Sequence, residues 1–296
     1  MLRIQKILLT ATAIMLLSSC HRVSMVEYAS DIDLREKMIS TREQGHAIFF
    51  LDFDQSPTGL YNKNQLDLEW NQPYWSQGIE DGRAAIIDAP ESLYRKSLRI
   101  YYPKGKSGPR KSGAQWKLRL NAKYDEIYCA YSIKFQDAFD FARGGKLPGL
   151  AGGKANTGGN RPDGTDGWSA RMMWRHSGSI EQYMYYPDQR RKWGEDFPWG
   201  VDTWDVLHFE PGVWYTVEHH IKMNTPSRAD GLIECWLNGQ PTLKVSNLRF
   251  RDTSALAINI FFFSTFFGGQ GPRWAPSRDE YIFFDNFIIS TKPITN

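Results

Sequence analysis

Two short stretches carry the side chains best suited to chemistry on an anion. Trp168 to Arg175 reads WSARMMWR and Ser179 to Tyr186 reads SIEQYMYY, with His176-Ser177-Gly178 between them. Both are rich in aromatic and Met residues and alternate in polarity, which predicts a β-hairpin closed by a three-residue turn with Gly178 in the left-handed position. Antiparallel partners across that turn have residue numbers summing to 354. Ser169 then stands opposite Tyr185, and Arg171 opposite Tyr183. Opposed residues share a sheet face, so the four form one polar square. A loop one residue longer or shorter breaks it.

Four polar residues alone also fit a solvated sheet face, on which Arg171 merely stacks against Tyr183. The preceding stretch Gly144 to Gly153, GGKLPGLAGG, favours a site, because it combines one lysine with five glycines and a proline. It reads as a loop whose glycines allow a close approach, holding Lys146 over the sheet.

GGKLPGL, then GWSARMMWR, then YMYY after a short turn resemble the core motifs of polysaccharide lyase family 14, whose members cleave alginate or glucuronan. The resemblance runs from about Tyr61 to about Ile289. Position by position it implies Lys146, Ser169, Arg171, Tyr183 and Tyr185 as the active-site set, and a β-jelly-roll as the fold. In a uronate polymer such a set would remove the proton beside a carboxylate, steady the charge that develops and protonate the leaving glycosidic oxygen. Arg171 suits a two-point carboxylate clamp and Lys146 adds a point charge. Tyr183 or Tyr185 is expected to move the proton, with Lys146 as electrostatic partner or, second, as the base itself. A phenol, ordinarily near pKa 10, must be lowered to act as base, and two adjacent cations are expected to lower it. Ser169 would position the sugar. Arg143, Lys154 and Arg175 are further candidates for binding substrate.

The elements that position these residues follow in chain order. Arg3 and Lys6 precede an apolar run from Ile7 to Leu17 that ends in Leu17-Ser18-Ser19-Cys20. Residues 1–19 read as a secretion signal, too short for a membrane span. The Leu-Ser-Ser-Cys ending resembles a bacterial lipobox, which implies cleavage before Cys20, a lipid on its thiol and a membrane anchor. No acidic residue follows at His21, so the outer membrane is the expected location. Residues 20–45 read as a tether with a short helix from Leu34 to Glu43, and residues 46–296 as one β-domain.

Strands are predicted at Ile48–Phe53, Ile86–Ile87, Ser97–Tyr102, Gln115–Leu120, Ile127–Phe135, Trp214–Met223, Gly231–Leu237 before the Asn238-Gly239 turn, Ile258–Phe267 and Tyr281–Ser290. With no long amphipathic helix, this is an all-β, antiparallel β-sandwich; the jelly-roll type comes from the resemblance.

Without Arg3 and Lys6 the formal charge falls from +3 to +1. Between Phe141 and Trp193, however, nine Lys or Arg face four Asp or Glu. A basic region on a nearly neutral chain fits an anionic polysaccharide; no nucleic-acid-binding motif accompanies it. No cofactor is expected and no metal, since no His or Cys cluster has ligand spacing. Cys129 and Cys235 either pair in an oxidising envelope or stay as buried thiols, and their apolar setting favours thiols.

Two other functions remain open at this stage. A sandwich-fold glycoside hydrolase needs two carboxylic residues, and Asp52 and Asp54, on one face of the first predicted strand, are the pair available. A surface glycan-binding lipoprotein would use the aromatic and basic residues without turnover.

Overall fold

Residues 35–88, 95–200, 206–269 and 271–295 are described by a computed structural model. The signal segment and Cys20 lie outside them. Helix α1 covers 35–43 and is followed by β1 (Ala47–Leu51), β2 (Gly59–Leu60), helix α2 (Lys63–Glu69), β3 (Trp75–Gln77), β4 (Ala84–Asp88), β5 (Lys96–Tyr102), β6 (Ala114–Tyr124) and β7 (Glu126–Phe135). Next come β8 (Gly144–Gly153), β9 (Gly167–Arg175), β10 (Ile180–Tyr185), β11 (Glu195–Pro198) and β12 (Trp214–Lys222). The chain ends with β13 (Gly231–Leu237), β14 (Gln240–Leu248), β15 (Ile258–Phe267) and β16 (Glu280–Ser290).

The strands form two antiparallel sheets, a sandwich of jelly-roll type. One runs β14-β13-β12-β7-β16-β5-β4-β2, with β1 also on β16; the other runs β11-β10-β9-β8-β15-β6-β3. Consecutive strands β5, β6, β7 and β8 alternate between the sheets, and β14, β15 and β16 do so again. Period-two alternation turns one face of each sheet inward. Ile127, Cys129, Tyr131, Ile133 and Phe135 of β7 are all buried, and they meet Trp168, Met172 and Trp174 of β9 and Phe261, Phe263 and Phe267 of β15 in one core. Trp116 of β6 stacks on Phe263 at 3.7 Å, and Trp70, just past α2, lies parallel to Phe261 at 5.8 Å. The other face of the seven-stranded sheet is left to form a cleft.

Three expectations change, and the favoured reading of the two cysteines holds. Gly144–Gly153 is a strand in the middle of a sheet, paired with β9 and β15. Gly and Pro ordinarily mark loops. Here Gly145 and Gly152 leave room for the Trp174 and Trp168 rings, and Pro148 sits at a bulge between Leu147 and Gly149. The bulge shifts the alternation, so that both Leu147 and Leu150 face the core. The segment read as a tether is in part packed: Met38 of α1 is buried against Ala130 and Ile288, and Arg35 donates to Asp54 at 2.8 Å. Asp52 and Asp54 do not share a strand face, because β1 ends at Leu51 and Phe53 takes a φ of 53°. They follow a strand of the nine-stranded sheet and do not line the cleft. Finally, Cys129 and Cys235 are both paired in register with His219, which puts them two strands apart. Two strand spacings, about 9–10 Å, exceed disulfide reach, and both thiols are free and buried.

The close packing of β8 on Trp174 gives a first prediction. A Cβ on Gly145 would overlap the Trp174 ring and press on the Phe266 carbonyl. Gly145→Ala should lower unfolding free energy by about 1–3 kcal/mol, read as a fall in urea midpoint at unchanged slope. An unshifted midpoint would show that β8 can move away from the core.

Candidate active site

The hairpin register is the one that the turn length predicts. Tyr183 pairs with Arg171 and Tyr185 with Ser169, across a turn in which Ser177 and Gly178 take φ values of 59° and 82°. Since Trp168, Met172 and Trp174 face the core, Ser169, Arg171, Met173 and Arg175 face the other way. Lys146 joins them from β8, where it pairs with Met173 on one side and Phe266 on the other. The cleft holds about 760 Å³ and is lined by Lys146, Arg171, Tyr183 and Tyr185 together, a volume suited to a small ligand or a few sugar units.

Arg171 is buried, 3% exposed. Its Nη1 donates to Ser264 Oγ at 2.9 Å, and Ser264 in turn donates to Gln115 Oε1 at 2.8 Å. Its guanidinium carbon lies 5.0 Å from the Phe262 ring centre. No carboxylate pairs with it among the described residues, and its Nε is buried without a partner there. Arg175, four residues on, differs: it donates to Glu181 at 2.6 Å and also to Asp196. Arg175 is therefore already neutralised by the protein, whereas Arg171 keeps its charge for something else.

Lys146 Nζ sits 3.2 Å from the centre of the Tyr183 ring and touches Met173 Sδ. The two phenol oxygens are 3.5 Å apart, and Gly159 N–H donates to Tyr185 Oη at 3.1 Å. Ser169 is on the correct strand face, but its hydroxyl donates to the Asn156 carbonyl at 2.7 Å and does not line the cleft. It holds the 156 loop. Arg143 and Lys154 are exposed and lie off the cleft lining, Lys154 facing Asp166 at 3.7 Å. Their positions along the chain are close to Lys146, but β8 carries them to its two ends.

Burial decides the protonation states. It pulls the Lys146 ammonium well below the ordinary lysine value, and Arg171 and Arg175 add to this, against the smaller pull of Asp196 and Glu181. Arg171 is brought down by burial to about 10, so it stays charged at neutral pH. The Tyr183 phenol moves up, first through burial and then through Tyr185, and the neighbouring Arg171 only partly offsets this. The expectation that two cations would lower Tyr183 thus fails, because desolvation of the phenolate outweighs them. Burial thus favours the neutral form of both groups, the amine of Lys146 and the protonated phenol of Tyr183.

Several cleft residues come from elements that motif reading did not connect to the hairpin. Phe262 and Phe266 of β15, Gln115 and Lys117 of β6, Trp75 and Gln77 of β3, and Asp196 of β11 all line it. A signal was present: Ser264 interrupts the apolar β15 run on the Phe262 and Phe266 parity, and Gln115 and Lys117 alternate with buried Trp116 and Leu118.

Residues 91–287 match the family model for polysaccharide lyase 14. No curated protein sequence matches the chain. Among solved structures, the alginate lyase Aly36B is 25% identical with a TM-score of 0.71, over 84% of this chain and 98% of its own. The marine PL-14 alginate lyase from Aplysia kurodai is 26% identical with a TM-score of 0.70, over 83% and 99%. The endo-β-1,4-glucuronan lyase of the fungus Trichoderma reesei, 12% identical with a TM-score of 0.51 over 83% and 96%, shares the fold.

The depressed Lys146 makes a prediction about stability. The unfolded chain keeps its proton up to the ordinary lysine value, about 10.4, whereas the folded chain releases it lower. Between those values the unfolded state binds more protons, so this residue makes stability rise with pH. In urea unfolding across that interval, wild type should gain on Lys146→Met by about 1.4 kcal/mol per pH unit. Parallel stability curves would mean that Lys146 folds with its proton on.

Proposed function

The chain belongs to polysaccharide lyase family 14, and we propose that this lyase of uronate polysaccharides cleaves alginate by β-elimination at Lys146, Arg171, Tyr183 and Tyr185. The reading rests on one observation: a buried lysine, its ammonium pulled well below the ordinary value, shares the cleft with a buried guanidinium that no carboxylate among the described residues neutralises. A substrate carboxylate is the partner that Arg171 lacks, and a buried guanidinium binds it strongly at two points.

With the carboxylate on Arg171, the proton on the adjacent carbon becomes more acidic, because the negative charge that develops spreads into a neutralised group. The Lys146 amine takes that proton. The electron pair left behind forms the new carbon–carbon double bond as the glycosidic carbon–oxygen bond breaks. The leaving oxygen then takes a proton from Tyr183, which burial keeps protonated, with Tyr185 in contact to relay or replace it. The roles are thus the reverse of the tyrosine-first expectation. Ser169 supports the site by fixing the 156 loop, and Arg175, which also lines the cleft, holds Glu181 and Asp196.

Alginate is preferred over glucuronan because the two matches at 25–26% identity are alginate lyases. The envelope location is a separate proposal carried by the Leu17-Ser18-Ser19-Cys20 ending: Cys20 bears a lipid that anchors the protein, and an outer-membrane position follows from the lack of an acidic residue at His21. Cys20→Ala should move the protein from the membrane to the soluble fraction; unchanged fractionation would argue against the anchor.

The activity test follows ultraviolet absorbance of the conjugated double bond with polymannuronate, polyguluronate and glucuronan in separate reactions. Lys146→Ala should lower kcat by about 10²–10⁴-fold. Lys146→Arg should be equally poor, since a guanidinium keeps its charge but cannot take the proton. Rescue by Arg would make Lys146 an electrostatic partner and return the base to a tyrosine. Binding of a polymer in an affinity gel without any absorbance change would favour the glycan-binding alternative.

A further inference from the structure

The cleft does not end at the Arg171 cluster. The sheet continues from β8 through β15 and β6 to the edge strand β3, and side chains on the same face go with it. We infer that Lys117, Trp75 and the Gln77–Gln115 pair form a second carboxylate subsite, which holds the uronate adjoining the one whose bond is cleaved. The inference rests on the uronate-lyase reading of the central site and extends it to the neighbouring sugar.

Phe262 links the two positions. Arg171 lies 5.0 Å from its ring centre and Lys117 Nζ 4.8 Å from it. The two cations are therefore no more than about 10 Å apart, both against one apolar ring, which suits two successive acidic sugars lying across the strands. Lys117 also lies 5.5 Å from the ring centre of Trp75, which lines the cleft and stands 40% exposed on the edge strand, where it can contact a sugar ring. No carboxylate pairs with Lys117 among the described residues, although it is partly buried. Lys222 and Lys244, on the other sheet, each reach a glutamate, at 3.7 and 2.8 Å.

The polar atoms beside Lys117 are arranged rather than loose. Gln115 donates to Gln77 Oε1 at 3.2 Å and accepts from Ser264, the same hydroxyl that receives the Arg171 hydrogen bond. One chain of hydrogen bonds thus runs from the Arg171 clamp to Gln77 on the edge strand, which lines the cleft beside Lys117. Nearby Arg171 and burial both pull the Lys117 ammonium down; an incoming carboxylate would reverse that pull. The chemistry at this end is that of a carboxylate-bearing sugar with an apolar face, not of a neutral sugar.

The test compares wild type, Lys117→Met, Lys117→Arg and Trp75→Ala on polymannuronate and polyguluronate, by turnover and by affinity-gel retardation. Lys117→Met should raise KM about ten- to hundredfold with kcat at saturation changed less than about threefold. Lys117→Arg should restore most of the loss, and added salt should weaken wild type more than Lys117→Met. Trp75→Ala should raise KM without changing the salt response. An unchanged KM in both folded variants would overturn the inference, as would a fall in kcat that tracks a loss of thermal stability. If wild type turns over no uronate polymer, the lyase reading fails first. Gel retardation lost in Lys117→Met would still uphold the subsite, and retardation equal in both would remove it.

Discussion

Burying a guanidinium is unfavourable unless something answers its charge, and the way Arg171 is held organises the rest of this molecule. Its ring of neighbours is aromatic, hydroxyl and amine, with one hydrogen bond to Ser264 and no carboxylate among the described residues. The surrounding charges respond. Lys146 shares the same enclosed face, and burial, with Arg171 adding to it, pulls its ammonium well below the ordinary lysine value.

The scaffold makes that arrangement rigid. Lys146 lies on a central strand fixed by pairing on both sides, with a proline bulge that resets which residues face the core. Gly145 and Gly152 are needed there because Trp174 and Trp168 fill the core immediately beneath, so the strand carrying the lysine cannot rise toward solvent. Arg171 is tied across β8 to β15 by Ser264, and Gln182 of the neighbouring β10 donates its amide to the Arg171 carbonyl at 3.0 Å. Sites built on sheets in this way hold reacting groups more tightly than loop-borne ones.

The contrast between Arg171 and Arg175 shows how a sheet divides similar residues between structure and chemistry. They lie on the same face of the same strand, four residues apart. Arg175 meets Glu181 and Asp196, from β10 and β11, and its charge is spent; Arg171 meets phenols and a phenyl ring, and its charge is kept. Position along the strand decides which fate each receives: Arg171 is paired directly with Tyr183, whereas Arg175, at the turn end of the hairpin, reaches diagonally to Glu181 and Asp196.

What could be read from the chain alone was what local geometry dictates. A three-residue turn at 176–178 determines the pairing of Arg171 with Tyr183, and period-two alternation places Ile127 to Phe135 on the core face; both depend on residues a few positions apart. The motif order around Lys146 likewise carried the family. Tertiary structure alone decided the remainder. Gly144 to Gly153 is a strand because Trp168 and Trp174, from the next strand, require residues without side chains, a demand invisible in a run that otherwise resembles a loop. Ser264, Gln115, Lys117 and Trp75 reach the cleft from strands distant in the chain. The direction in which each group shifts also followed from burial: adjacency of cations predicts a lowered phenol, but desolvation in the folded cleft raises Tyr183 and lowers Lys146, and only packing determines how much water each group loses.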